Sequence, residues 1–140
     1  MLWGKSLWTS IHLIALAFPE APSNIDRENY KRFYASLGAV LPCYKCQQNF
    51  ERHWRELPID AFLFDRKSLF AWTVKFHNLV SAEIGKATWT VDEAWKFYSS
   101  GSFAKADSAG SRIWLWWSVL LLVALLLLFA IFAKKKRWLL

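Results

Sequence analysis

Apolar residues recur at helical spacing in five stretches of this chain, and none of its 140 residues form a convincing strand pattern. The first stretch runs from Trp3 to Phe18 and stops before Pro19 and Pro22. Leu7, Ile11, Ile14, Ala15 and Phe18 make its apolar face, and Trp8 and His12, four apart, share a side. A turn at Pro22-Ser23-Asn24 leads into a second helix, expected from about Asp26 to Leu41, with a packing stripe of Ile25, Tyr30, Phe33, Tyr34 and Leu37. A third helix should carry Cys43 and Cys46 and reach about Glu56, stopped by Pro58. Gln47, Gln48, Glu51, Arg52 and Arg55 give it a solvated face, on which His53 is expected at the surface. The fourth helix is long, from Asp65 as N-cap to Gly85 as its terminal glycine. Phe70, Trp72, Val74, Phe76, Leu79, Val80 and Ile84 make it apolar on more than one side, so it should be central. Asn78 interrupts an apolar turn there, and must either pair internally or meet a ligand. Thr90-Val91-Asp92-Glu93 is a capping box that opens a short fifth helix ending near Tyr98.

After the fifth helix the pattern changes. Residues 99–111 are rich in Ser, Gly, Ala and Lys and read as a flexible linker. Ile113 to Ala133 is then 21 residues with Ser118 alone polar. At 1.5 Å per residue it spans about 31 Å, the thickness of a bilayer core. Trp114, Trp116 and Trp117 sit at one end of it and Trp138 beyond the other, and Lys134-Lys135-Lys136-Arg137 closes it. The expected organisation is a helical domain over 1–98, a linker over 99–111, a transmembrane helix over 112–133 and a basic tail over 134–140. The first helix is not expected to be a signal peptide, because Trp8 and His12 interrupt its apolar run.

The net charge of +7 is misleading until it is divided. Five of the 18 basic residues lie in 112–140 beside no acid, which leaves 13 against 11 acids in residues 1–111, a net of +2. The basic excess belongs to the tail, and no basic stripe with interleaved aromatics marks a nucleic-acid surface. Ten Trp and eleven Phe exceed what so small a core needs, so some should face a ligand, a partner or lipid.

The two cysteines, Cys43 and Cys46, stand in Leu41-Pro42-Cys43-Tyr44-Lys45-Cys46. At a helix N-terminus this spacing lets the sulfurs close into a disulfide. Pro42 favours the helix start, the helix dipole favours thiolate, and Lys45 adds a cation. Other readings of the pair stand beside this one, among them two inert buried thiols, against which Lys45 and Gln47-Gln48 argue. The pair can be half of a zinc site completed by two of His12, His53 and His77, although C-x₂-C-x₆-H fits no common zinc module. It can also be a short structural disulfide, which adds little by loop entropy. A thioredoxin-like site needs a βαβ setting, which the chain does not supply.

Three motifs in order carry a resemblance. Trp3-Gly4-Lys5-Ser6-Leu7-Trp8-Thr9-Ser10-Ile11-His12, then Pro42-Cys43-Tyr44-Lys45-Cys46, then His77-Asn78-Leu79-Val80-Ser81 resemble the W-G-x-x-x-W-x-x-x-H, P-C-x-x-C and H-N-x-V-N patterns of the Erv/ALR family of FAD-linked sulfhydryl oxidases. The likeness covers about residues 3–98 and is greatest to compact members from large cytoplasmic DNA viruses. It implies an all-α fold, a four-helix bundle with a short fifth helix, to which the transmembrane helix is appended. It further implies non-covalent FAD and often a homodimer. By position, Gly4, Lys5, Trp8, His12, His77, Asn78, Val80 and Ser81 would line the flavin site, with Lys86 and Trp95 nearer the nucleotide end. Ser81 stands where the pattern has Asn, and Lys5 where Arg is common, which keeps the charge but loses a bidentate fork. Glu83 stands where the family tends to be basic. No metal is expected.

The resemblance implies a thiol oxidase in which Cys43, exposed, meets the substrate thiolate and Cys46, buried, faces the flavin, with dioxygen as the final acceptor and hydrogen peroxide as product. There is no second cysteine pair. The substrate is therefore expected to be a protein dithiol that reaches Cys43 directly, or a small thioredoxin-like shuttle. Two competing readings are a membrane-anchored helical scaffold with a zinc or structural C-x-x-C, and a flavin-free oxidoreductase that passes disulfides between proteins. The hydrophobic stretch near the C-terminus predicts a tail-anchored protein on a viral or host internal membrane with its catalytic domain in the cytosol, although the basic cluster beyond the helix favours the opposite orientation.

Overall fold

A computed structural model describes residues 3–103 and 117–125. It contains α1 (Trp3–Leu16), α2 (Asn24–Val40), α3 (Tyr44–Glu56), a 3₁₀ turn (Ile59–Phe62), α4 (Arg66–Glu83) and α5 (Val91–Ser99). The chain divides into two units, residues 1–100 and 101–140.

Local chemistry sets the helix ends in the first unit. Ser23 caps α2 and forms a reciprocal capping box with Asp26, so the helix starts two residues before the expected point. Asp65 caps α4, and Thr90 and Glu93 form the box that starts α5, both as expected. Beyond α4 the Lys86 N–H returns to the Ser81 carbonyl at 2.9 Å, a reversal that needs the left-handed Gly85 (φ 67°). Pro42 lies outside α3, whose N-cap is Cys43 itself. The 3₁₀ turn was not legible, because four residues are too few to show a period.

α4 is central, as its apolar composition required. It packs along α1 and carries α5, while α2 packs against α3. Leu69, Phe70, Trp72, Thr73, Val74 and Phe76 of α4 are all buried, with Phe18, Tyr34 and Ile59 from its neighbours. The polar tips of this aromatic core are satisfied. Tyr34 O–H donates to the Ile11 carbonyl at 3.0 Å, and Trp72 Nε1–H to the Leu57 carbonyl at 3.0 Å. Gly38 of α2 permits a close approach, since a Cβ there would lie 2.6 Å from the Phe50 ring.

One expectation fails. His53 is not at the surface but 3 % exposed, turned inward against Phe76. The reason is periodicity. His53 is seven residues beyond Cys46, so it repeats the face that turns toward α4, and Glu83 waits there for its ring.

In the second unit, residues 117–125 are helical and their side chains are exposed. The remainder of the expected linker and membrane segment, 104–116 and 126–133, and the basic tail lie outside the described residues. Among the described residues no helix is long and apolar enough to cross a membrane.

Candidate active site

Cys43 and Cys46 are joined by a disulfide, with Cα atoms 5.1 Å apart. Cys43 leaves the helix in an extended conformation, and its sulfur accepts the Cys46 N–H at 3.3 Å. A sulfur that caps a helix sits against free N–H groups and the positive end of the dipole, which stabilise thiolate when the bond opens. The Gln47 side chain donates to the Leu41 carbonyl at 2.8 Å and ties the approach loop to the first turn of α3. Cys43 and Cys46 are both half-buried, so burial alone does not divide their roles in the way expected.

Both cysteines border a cavity of about 270 Å³ that penetrates the bundle. Its wall is chiefly aromatic and aliphatic, with Trp8 and Ile11 from α1, Tyr34 from α2, Phe50 from α3 and Trp72 and Phe76 from α4. Part of the aromatic surplus seen in the sequence lines it. Asn49 and Glu83 are polar groups on the wall.

Trp8 belongs to the cavity and also to a second polar-aromatic face. Its ring stacks on His77 at 3.9 Å, nearly parallel. Behind it a hydrogen-bond chain crosses from α4 to α1 and back. Thr73 O–H donates to the Phe70 carbonyl at 2.7 Å, which leaves Thr73 Oγ1 to accept from His12 Nδ1–H at 2.9 Å. His12 Nε2 must then accept from His77 Nδ1–H at 3.1 Å. The chain ends with a lone pair on His77 Nε2. Burial, and then the neighbouring His77, push the His12 pKa down to about 3. Burial, and then Lys86, push that of His77 down to about 4. Both rings are neutral at pH 7, as this chain of tautomers requires.

Of the other residues named from sequence, Val80 lines the cavity. Asn78 does not point into it. Its amide clamps the Trp89 backbone, donating to the carbonyl at 2.7 Å and accepting the N–H at 3.0 Å, which fixes the α4–α5 loop. Ser81 is buried and does not line the cavity. Trp95 packs edge-on against Phe70 on the α5 side. Lys5 and Lys86 are exposed, the first near Tyr98 and the second near His77. A Cβ on Gly4 would meet nothing, so no protein neighbour demands that glycine. Thr73 and Tyr98 were missed. Tyr98 packs 4.7 Å from His12, and one hydroxyl and one ring carried no periodic signal of their own.

Among the described residues no group of three His, Cys, Asp or Glu gathers to hold a metal ion. The Cys₂His₂ reading would need histidines at the dithiol, whereas His12 and His77 are hydrogen-bonded to one another and His53 faces Glu56 and Glu83.

Known proteins resemble this chain in sequence and fold. A protein of Acanthamoeba polyphaga mimivirus, named as an FAD-linked sulfhydryl oxidase, is 39% identical over 93 residues, covering 66% of this chain and 65% of its own length. A protein of Invertebrate iridescent virus 3 with the same naming is 28% identical over 141 residues, covering 98% of this chain and 95% of its own. The chain thus spans just under two thirds of the first relative and nearly all of the second. The crystal structure of the FAD binding domain of Erv1 from Saccharomyces cerevisiae superposes with a TM-score of 0.66 at 26% identity, over 70% of this chain and 91% of that one. The pattern of the Erv1 / Alr family matches residues 5–99, and the chain belongs to that family.

Proposed function

We propose that the protein is an FAD-dependent sulfhydryl oxidase that forms disulfides in protein thiols. The carrying observation is a helix-capping Cys43–Cys46 disulfide that opens onto an aromatic cavity inside an Erv1 / Alr bundle. The cofactor fits the residues present. The cavity is of the size that takes a planar ring system, while a whole dinucleotide needs the upper part of the usual ligand-pocket range of about 300–1,000 Å³. The ring would lie among Trp8, Phe50, Trp72 and Phe76. The nucleotide would then follow the outer side of α1, where Gly4 leaves open space, His77 offers an acceptor, and Lys5 and Lys86 supply positive charge.

The chain's own residues do the following. Cys43 receives the substrate thiolate and forms a mixed disulfide, and Cys46 leaves as thiolate. The second substrate thiol releases Cys43. Lys45 and the N-terminal dipole of α3 hold both sulfurs toward thiolate. The aromatic wall would exclude water from a bound ring, and Cys46 on the same cavity would lie beside it. Bound FAD supplies the capacity to take an electron pair from the dithiol and pass it to dioxygen, which yields hydrogen peroxide.

In the absence of a second cysteine pair, the substrate is a protein dithiol able to reach Cys43, or a small thioredoxin-like shuttle. A homodimer and a single-pass C-terminal anchor over 112–133 complete the reading, with the catalytic domain cytosolic. The apolar helical stretch 117–125, exposed along its length, supports the anchor. Protease protection on membranes tests the orientation, and shelter of the domain would reverse it.

The deciding experiment is a visible spectrum of the purified protein with oxygen uptake on adding dithiothreitol, repeated for Cys46→Ala. A flavin band, with uptake that vanishes in the variant, is expected. A colourless protein would overturn the reading and leave a helical scaffold with a structural disulfide.

A further inference from the structure

Glu83 ends α4, where an acid is unfavourable because the dipole is negative there. Its carboxylate nevertheless has only 27% of its side chain exposed, and it is directed at α3. Asn49 Nδ2–H donates to Glu83 Oε2 at 2.9 Å. The Arg52 guanidinium pairs with Oε1. Buried His53 brings Nε2 within 3.3 Å of Oε2, in ion-pair range though not aligned as a hydrogen bond, while its Nδ1 meets Glu56 at 3.0 Å. One carboxylate therefore meets three side chains of a neighbouring helix, Asn49, Arg52 and His53. Asn49 is one turn beyond Cys46 on the same face, and Asn49, Glu83, Cys43 and Cys46 all border the cavity.

One other directional contact crosses this seam, from Trp72 Nε1–H to the carbonyl of Leu57, the C-cap at the far end of α3 from the dithiol. The remaining contacts are aromatic, Phe50 on Phe76 at 5.0 Å, Trp54 on Trp72 at 5.7 Å and His53 on Phe76 at 6.0 Å, and their apolar burial tolerates small shifts. The carboxylate does not. We propose that Glu83 is a positioning residue for electron transfer: it fixes the register of α3 on α4 and so holds the Cys46 sulfur against the ring in the cavity. This rests on the sulfhydryl oxidase reading. As the Cys43–Cys46 bond re-forms, the dithiol gives up an electron pair to the flavin and two protons to water. Dioxygen later takes the pair and two protons and leaves as hydrogen peroxide. Only the first of these steps depends on where Cys46 sits.

The test uses the flavin-loaded full chain in anaerobic stopped flow with dithiothreitol, followed by mixing with oxygenated buffer. Displacement of a reacting group by about 1 Å costs on the order of 10²-fold, so flavin bleaching in Glu83→Ala should slow by about 10- to 100-fold. Reoxidation by dioxygen should stay within about twofold, since it does not use Cys46. In a Cys43→Ser background the long-wavelength absorption of a Cys46 thiolate against oxidised flavin should be present and should be lost on adding Glu83→Ala. The charge-reversed pair Arg52→Glu with Glu83→Arg should restore part of the bleaching rate. If Glu83→Ala does not fold, Asn49→Ala cuts only the arm nearest Cys46 and should reduce the same band. Wild-type bleaching and an intact band in every folded variant would overturn the proposal. Failure of dithiothreitol to bleach the wild-type flavin would instead overturn the oxidase reading.

Discussion

Replacing Gly38 by Ala tests the packing that shapes the cavity. An added Cβ would lie 2.6 Å from Phe50 Cδ1 and 3.0 Å from Cε1. Carbon atoms settle at about 3.5–4.0 Å, so the ring must retreat by about 1 Å. Phe50 already lies 5.8 Å from Trp54 and 5.0 Å from Phe76, and the open direction is the cavity it lines. Overpacking of this kind costs about 1–3 kcal/mol. Alanine in a helix returns about 1 kcal/mol relative to glycine. The net loss is therefore about 1 kcal/mol, and calorimetry should show the Tm of the flavin-free domain falling by about 4–8 °C. The flavin-loaded protein should lose more, because the retreating ring then meets the ligand, and flavin affinity should fall about tenfold, equivalent to about 1.4 kcal/mol. Adding Phe50→Leu, which shortens the obstructing side chain, should recover part of the affinity. A Gly38→Ala protein with raised Tm and unchanged flavin affinity would refute the reasoning, since helix propensity alone would then account for the result.

Asn78→Ala should destabilise by about 1–2 kcal/mol, the loss of two half-exposed hydrogen bonds to Trp89, and amide exchange should quicken at Trp89 first. Thr73→Val should free His12 Nδ1–H of its acceptor, and nitrogen NMR should show His12 and His77 change tautomer while the helical content is retained. Stability should decline with falling pH between about 6.5 and the folded values of about 3 and 4. The unfolded chain binds protons at His12 and His77 that the folded chain refuses, with a slope of at most about 1.4 kcal/mol per pH unit for each ring. Denaturant midpoints at pH 7 and 5 check this. A His12→Gln, His77→Gln variant should have a flatter profile down to about pH 5. The capping carboxylates Asp26 and Glu93, whose pKa values are lowered by bonds from Ser23 and Thr90, lose their contribution only below the ordinary carboxylate range.

Helices were legible where periodicity and caps agreed. Asp65, Thr90 and Gly85 fixed ends that the structure repeats, and the crowd of aromatics on both sides of α4 marked it as central before any packing was known. The dithiol was legible from spacing, and the family from three short motifs. What those motifs did not convey is division of labour. The motif groups Asn78 with Val80 and Ser81, yet Val80 lines the cavity, Ser81 is buried without lining it, and the Asn78 amide is committed to Trp89. A motif records which residues occur together, whereas a helix distributes consecutive residues at about 100° to one another, so neighbours in a motif do not share a direction.

His53 and Glu83 show why the remaining error arose. The charged neighbours Glu51, Arg52 and Arg55 point His53 to a solvated face, and Glu83 stands out in the sequence only as an acid where the family tends to be basic. Each residue was ambiguous alone, since polar side chains at these positions suit water equally well. The information lay in the pair, 30 residues apart on different helices. A buried imidazole is tolerated when carboxylates face it, and a carboxylate at a helix C-terminus is tolerated when a guanidinium from another helix reaches it. Two local violations that cancel in three dimensions cannot be recognised from either segment. Their joint placement beside the redox disulfide is the reason to assign the Glu83 contacts to positioning the chemistry as well as to stability.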